Sequence, residues 1–177
     1  QHVSRTIEDL VTEAEGLVKK GVKEIMLIAQ ELTYYGLDIY KERALPKLLH
    51  ALADVKGIEW IRLHYAYPSK FPLEVLDVMR ERSNICKYLD MPLQHASNSM
   101  LKAMKRNITR EDMSVLIKEI RARVPGICLR TTLIAGFPGE TDDDIEELKE
   151  FLQEHRFDRV GIFSYSHEEN TSAHDLV

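Results

Sequence analysis

Apolar positions along this chain keep two rhythms that take turns. Short runs of aliphatic, β-branched and aromatic residues, Glu24 to Gln30, Trp60 to Ala66, Cys86 to Met91, Leu129 to Ala135 and Arg159 to Tyr165, have the length of strands. Between them, apolar residues recur at helical spacing. Ile7, Leu10, Val11, Ala14, Leu17 and Val18 make one stripe, opened by Thr6 and ended at Gly21. Leu45, Leu48, Leu49 and Leu52 make a second, which stops near Gly57. Pro72 suits the first turn of a short helix carrying Leu73, Leu76 and Met79, and a further helix follows with Met100, Leu101 and Met104. Thr109 with Asp112 caps a helix whose stripe runs from Met113 to Val124. The clearest unit runs from Leu129 to Leu152: a strand, a glycine-rich turn, then a helix capped by Thr141 with Asp142 to Asp144 in its first turn, where the helix dipole favours anions.

Strict alternation of helix and strand over short joints predicts parallel strands in one α/β domain, residues 1–177. Polar residues within the strands share one alternation. Arg62 and His64, Tyr88 and Asp90, and Arg130 and Thr132 each fall on the same face of their strand. Charges buried in a sheet covered on both faces are costly, so a partial parallel (β/α) barrel with a polar lumen is expected in preference to a flat doubly wound sheet. Alternatively Arg62, Asp90 and Arg130 pair with one another in a packed interior, and both can hold. Five strands are too few to close an eight-stranded barrel, which leaves a lateral opening.

Composition adds limits. With 44% hydrophobic and 30% charged residues the chain can bury a core, and a net charge of -5 argues against a generally basic nucleic-acid face. Cys86 and Cys128 are far apart and read as free thiols of a reducing compartment. No apolar run approaches the roughly 20 residues of a membrane span, so no membrane partner is expected. The sequence opens Gln1-His2-Val3-Ser4 without an initiating methionine and reads as a piece of a longer chain. The turn at Gly136, Pro138 and Gly139 either brings backbone close to a ligand or needs positive φ for a tight bend. A polyphosphate loop is disfavoured, because three aspartates and no lysine begin the helix behind it. His64, Asp90, His95 and Glu140 are metal-ligand types near strand ends, but their spacing matches no metal motif, and no metal site is assigned. The residues alone predict an enzyme-like domain with its site beyond the carboxyl ends of the strands; its catalytic residues are not identified.

Five segments carry a resemblance that goes further. HVSRTIEDL at the start, IAQELTYYG from Ile28 to Gly36, MPLQHASNSMLKAMKR from Met91 to Arg106, LRTTLIAGFPGETDDDIEEL from Leu129 to Leu148, and FSYSHEENTSAHDL from Phe163 to Leu176 together resemble the radical SAM methylthiotransferases, in the expected order. The resemblance implies a partial, TIM-like radical SAM barrel of which this stretch supplies strands two to six. The first strand and the CxxxCxxC loop that holds the 4Fe-4S cluster are not in it, and Cys86 and Cys128 cannot replace that loop at their spacing. It implies S-adenosylmethionine as cofactor, with Gln30 and Glu31 meeting its methionine part, Gln94 and Ser97 facing ribose or substrate, and Ile134 and Gly136 near adenine. Gly139 and Glu140 would hold the turn. Arg130 and Thr132 complete the cofactor-binding set, with Arg130 a cation for a carboxylate of cofactor or substrate.

The resemblance also implies a cluster-bearing N-terminal domain and a C-terminal β domain in the parent enzyme. The segment from Tyr165 to Ala173 follows the pattern YSxEEGTxA of the branch that modifies a small-subunit ribosomal protein, with Asn170 for glycine, rather than the YSPRPGTPA of the tRNA branch. Glu168 and Glu169 are accordingly expected to face a basic protein loop and to repel a phosphate backbone. A cytoplasmic enzyme that methylthiolates an aspartate β-carbon of a ribosomal protein is expected, with tRNA adenosine as the second substrate class. The stretch by itself, without cluster ligands, is expected to be inactive; a non-catalytic scaffold is the alternative. Its first strand, left without a neighbour, is expected to form an exposed edge that favours self-association.

Overall fold

The computed structural model describes residues 3–167. In chain order the elements are α1 (Ile7–Lys19), β1 (Glu24–Leu27), a 3-10 turn (Leu32–Tyr34), α2 (Leu45–Ala53), β2 (Trp60–Leu63), α3 (Glu74–Glu81), β3 (Ile85–Asp90), α4 (Asn98–Ala103), α5 (Arg110–Arg123), β4 (Cys128–Ala135), α6 (Asp142–His155) and β5 (Arg159–Ser164). The five strands form one sheet in the order β1-β2-β3-β4-β5, every neighbouring pair parallel. A doubly wound sheet reverses its strand order at a switch point. This one does not: it winds in a single direction, as a barrel wall does, and is left open at β1 and β5.

The helix signals hold locally. Thr109 with Asp112 and Thr141 with Asp144 form reciprocal capping boxes, and Thr6 accepts from the Asp9 amide. Two strands end earlier than their apolar runs. β1 stops at Leu27 because the chain turns into the 3-10 turn capped by Glu31, and β2 stops at Leu63 because Tyr65 takes a left-handed φ of 58°. Pro72 lies just outside α3 and offers its carbonyl to the Val75 amide at 3.1 Å, so it belongs to the entering turn.

One face of the sheet makes the core. Ile61, Leu63, Leu89, Leu129 and Leu133 are buried beneath Leu45, Leu49, Leu76, Ile117 and Phe151 from the helices. Each such side chain contributes about 1.5–3 kcal/mol through burial. The edges are less covered. Beside β1 an apolar groove of about 400 Å³ opens between that strand and α1, lined in part by Leu10, Leu17, Ile25 and Leu27. At the other edge Val160 and Ile162 of β5 are exposed. Among the described residues no helix is long and apolar enough to cross a membrane.

Candidate functional site

The opposite face of the sheet is polar and carries two separate pairings. Arg62 of β2 donates from Nε to Glu24 of β1 at 2.7 Å and lies over the Tyr88 ring, 5.0 Å from its centre. Deeper in the fold, Asp90 of β3 is 1% exposed; its Oδ1 accepts from Nη1 of Arg130 on β4 at 2.7 Å and its Oδ2 lies 3.5 Å from Nδ1 of His64. Both expectations therefore hold in part. The face is polar, and Asp90 does pair with Arg130, but Arg62 turns to Glu24 instead of joining them. The two pairings raise the affinity of Arg62 and Arg130 for their protons, chiefly through the hydrogen bonds to Glu24 and Asp90 respectively.

Beyond the strand ends, a rim is built from the segments after β3 and β4. Gln94 holds a left-handed φ of 74° and extends the pairing of the two strands, donating its amide to the Thr132 carbonyl at 2.9 Å while its carbonyl accepts from the Ile134 amide at 2.8 Å. His95, fully buried, accepts the Ser97 amide on Nδ1 at 2.9 Å, which fixes the proton on Nε2, 3.2 Å from Glu140. Burial pushes the His95 pKa down, against the pull of Glu140. The other Glu140 oxygen accepts the Gly136 amide at 2.7 Å. The glycine-rich turn is thereby tied across to the segment after β3. Gly136 has φ of 80°, and a Cβ there would meet open space, so the turn needs its positive φ and leaves its outer side clear.

Other site candidates take distinct places. Gln30 is exposed, while Glu31 accepts the Thr33 amide at 3.0 Å and the Tyr67 amide at 3.4 Å, joining the loops after β1 and β2. Ser97 is buried, with its hydroxyl on Asp144 beside that of Ser99. Those hydroxyls and the Thr141 cap hold the Asp144 carboxyl well below the usual range. Arg130, Thr132 and Ile134 line the polar face of β4, half-buried. Glu168 and Glu169 lie outside the described residues. The four metal-ligand types separate into His64 with Asp90 and His95 with Glu140, and no group of three or more such residues among those described is placed to hold a metal.

Sequence patterns gave no hint of two further groups. Arg106, at the end of the Met91 to Arg106 run, stacks 4.4 Å over Tyr67 and donates from Nη2 to the Pro92 carbonyl at 2.7 Å, while burial lowers its pKa. Tyr165, at the end of β5, meets Phe137 edge-on at 5.3 Å. The buried side-chain atoms without a hydrogen-bond partner among the described residues are Asp38 Oδ1, His64 Nε2, Gln94 Oε1, Arg106 Nε and Tyr165 OH. All five sit in or against the loops that leave the carboxyl ends of the strands. Unmet buried hydrogen bonds are costly, so their gathering at one end fits a polar ligand over that rim. The two cysteines do not fit an iron–sulfur cluster: both are free, and they lie near the amino ends of β3 and β4.

Comparison with known proteins agrees with this geometry. Residues 1–152 match the model of the radical SAM superfamily. The chain is 63% identical over 177 residues to a protein of Flavobacterium psychrophilum named ribosomal protein uS12 methylthiotransferase RimO, covering all of this chain and 41% of that one. A protein of the same name from Bacteroides thetaiotaomicron is 55% identical over 173 residues, 98% of this chain and 40% of that one. The chain thus spans about two-fifths of the length of these relatives. Among solved structures, the radical S-adenosylmethionine methyltransferase TsrM from Kitasatospora setae superposes with a TM-score of 0.70 at 21% identity, over 90% of this chain and 31% of that one. Coproporphyrinogen III oxidase HemN from Escherichia coli, a radical SAM enzyme, gives 0.66 at 20% identity over all of this chain and 42% of that one. The single-direction parallel sheet, open at both edges, with its unmet polar groups gathered at the carboxyl ends of the strands, thus has its counterpart in sequence: the chain belongs to the radical SAM superfamily.

Proposed function

We propose that this chain is the S-adenosylmethionine-binding core of a methylthiotransferase that modifies an aspartate β-carbon of ribosomal protein uS12 in the cytoplasm. The 63% identity along its whole length to a relative of that name carries the reading. In such an enzyme S-adenosylmethionine, with a 4Fe-4S cluster whose ligands lie outside these 177 residues, supplies the radical chemistry. The residues here bind and orient. Gln94, Ile134 and Gly136 receive the nucleoside part at the rim, and Gln30 and Glu31 the methionine part. His95, Glu140, Ser97 and Asp144 keep the Gly136 turn in register with Gln94. Glu168 and Glu169 meet the basic protein substrate.

The test uses the intact protein with its clusters reconstituted, offered ribosomal small subunits and tRNA in parallel and read by mass spectrometry. Methylthio incorporation into uS12 is expected; incorporation into tRNA alone would replace this reading with the tRNA one. The open β1 edge supports a second proposal, that the 177-residue stretch in isolation self-associates through that strand. Sedimentation at rising concentration should show dimers or larger species, and a monomer throughout would remove the idea.

A further inference from the structure

The Asp90–Arg130 pair does more than neutralise a buried charge. Arg130 commits Nη1 to Asp90, yet its side chain keeps 33% of its surface exposed on the polar face. Opposite it on β5, in register with Thr132, stands Gly161. A Cβ at Gly161 would lie 3.7 Å from Arg130 Nη2 and 3.8 Å from Thr132 Oγ1, so the glycine leaves a notch in front of both. The φ of Gly161 is not in the left-handed region, and the space, rather than the backbone, is what its missing side chain provides. On the same face two strands away, His64 turns Nδ1 toward Asp90 and leaves Nε2 without a partner. Asp90 thus orients a guanidinium that keeps N–H donors to spare and faces an imidazole whose Nε2 has no partner. Arginine's planar fork matches a carboxylate better than any other side chain.

We infer that the Arg130–Thr132–Gly161 notch is a carboxylate-recognition site, and that it seats the side-chain carboxylate of the substrate aspartate, with Arg130 as the specificity-determining residue. The assignment to an aspartate substrate rests on the function proposed above. A carboxylate is the shared chemistry, and the cofactor carries one too. The geometry favours the substrate. Arg130 lies three residues before Leu133, the partner of Gln94, which puts it about 10 Å deeper along β4 than the rim. It is also three strands from β1, whose end is assigned the methionine part, a lateral separation of roughly 14 Å.

The experiment measures binding as well as turnover, with the intact cluster-loaded protein. Its ligands are S-adenosylmethionine and two forms of uS12, the natural protein and one with the target aspartate, located by mass spectrometry, changed to asparagine. Arg130→Gln should weaken binding of natural uS12 by ~10–100-fold, the scale of one charge-assisted hydrogen-bonded contact, and should erase the preference for aspartate over asparagine. Affinity for S-adenosylmethionine should stay within about twofold. Loss of S-adenosylmethionine affinity with uS12 binding intact would assign the notch to the cofactor and overturn the proposal, as would no change in either. Should Arg130→Gln fail to fold, Gly161→Val fills the notch while leaving the Asp90–Arg130 pair in place, and the same loss of aspartate preference is expected. If the wild-type protein methylthiolates tRNA and not uS12, the proposed function fails; if it modifies uS12 and Gly161→Val or Arg130→Gln binds it unchanged, only the notch assignment fails.

Discussion

The two ends of the same five strands differ in a way that cavity size does not reveal. A space of about 850 Å³ lies at the amino ends, lined by Glu24, Trp60, Arg62, Cys86, Cys128 and Arg159 among others. Several of its charged groups find protein partners: Arg62 pairs with Glu24 at 2.7 Å, Arg82 with Asp54 at 2.8 Å, and Arg80 with Asp77 at 3.2 Å. At the carboxyl ends, by contrast, lies every buried side-chain polar atom without a partner among the described residues, together with the left-handed Tyr65 and Gln94 and the glycine turn. Unsatisfied hydrogen bonds and strained backbone persist only where something compensates for them. Unmet polar demand, rather than volume, marks the carboxyl ends as the candidate site.

The contrast breaks most readily at Glu140. Its carboxylate is the shared acceptor for the Gly136 amide and the buried His95, and Glu140→Ala leaves both without it. A loss of about 2–4 kcal/mol is expected, with a fall in Tm and at least a tenfold weaker affinity of the intact protein for S-adenosylmethionine. Unfolding by calorimetry and equilibrium dialysis measure the two. If Tm falls and affinity does not, the rim is a structural joint and the comparison fails.

Asp144 tests the same joint through pH. Its folded-state pKa lies below the ordinary value, so the stability it adds is full above about pH 4 and drains as pH falls below that. Asp144→Asn should cost about 2 kcal/mol at neutral pH, through the cap and the two serine bonds, and should flatten the acid side of the stability curve. Urea unfolding between pH 2 and 7 follows both, and a parallel pair of curves would remove Asp144 as the acid-sensitive group.

Gln94 sharpens the contrast, because stability and binding should part company there. Gln94→Gly removes an unpaired buried oxygen and relieves a left-handed backbone, so stability is expected to hold or rise by up to ~1 kcal/mol. Affinity for S-adenosylmethionine should drop about tenfold, the worth of one satisfied hydrogen bond in a buried site. A variant that loses stability and keeps its affinity would show that Gln94 serves the fold.

The smallest effect belongs to the amino ends. Burial pushes the Cys86 thiol up, away from the reactive thiolate, and Cys86→Ser with Cys128→Ser should change stability by less than ~1 kcal/mol and cofactor affinity not at all. A clear loss of S-adenosylmethionine binding would place the site at the amino ends instead.

How much of this was legible in the sequence follows from the range of the forces involved. Caps and stripes act over a few residues, so Thr109 with Asp112, Thr141 with Asp144 and the apolar periods of the helices could be read directly and are found as read. The shared alternation of Arg62, His64, Tyr88, Asp90, Arg130 and Thr132 likewise announced a polar face, because side-chain direction along a strand has period two. Strand ends at Leu27 and Leu63 were not legible, since backbone turns at Glu31 and Tyr65 cut the apolar runs short. Neither were the partners. Arg62 meets Glu24, Asp90 meets Arg130 and His64, and Glu140 meets His95 only because of the registers between strands and the joining of distant loops, which separate these residues by 26 to 45 positions in the chain. Sequence by itself determined which side chains are polar, which face they share and where helices begin; tertiary structure alone decided which of those polar groups neutralise one another and which are left without a protein partner, because hydrogen bonding is settled by distance and angle between segments that local propensity does not bring together.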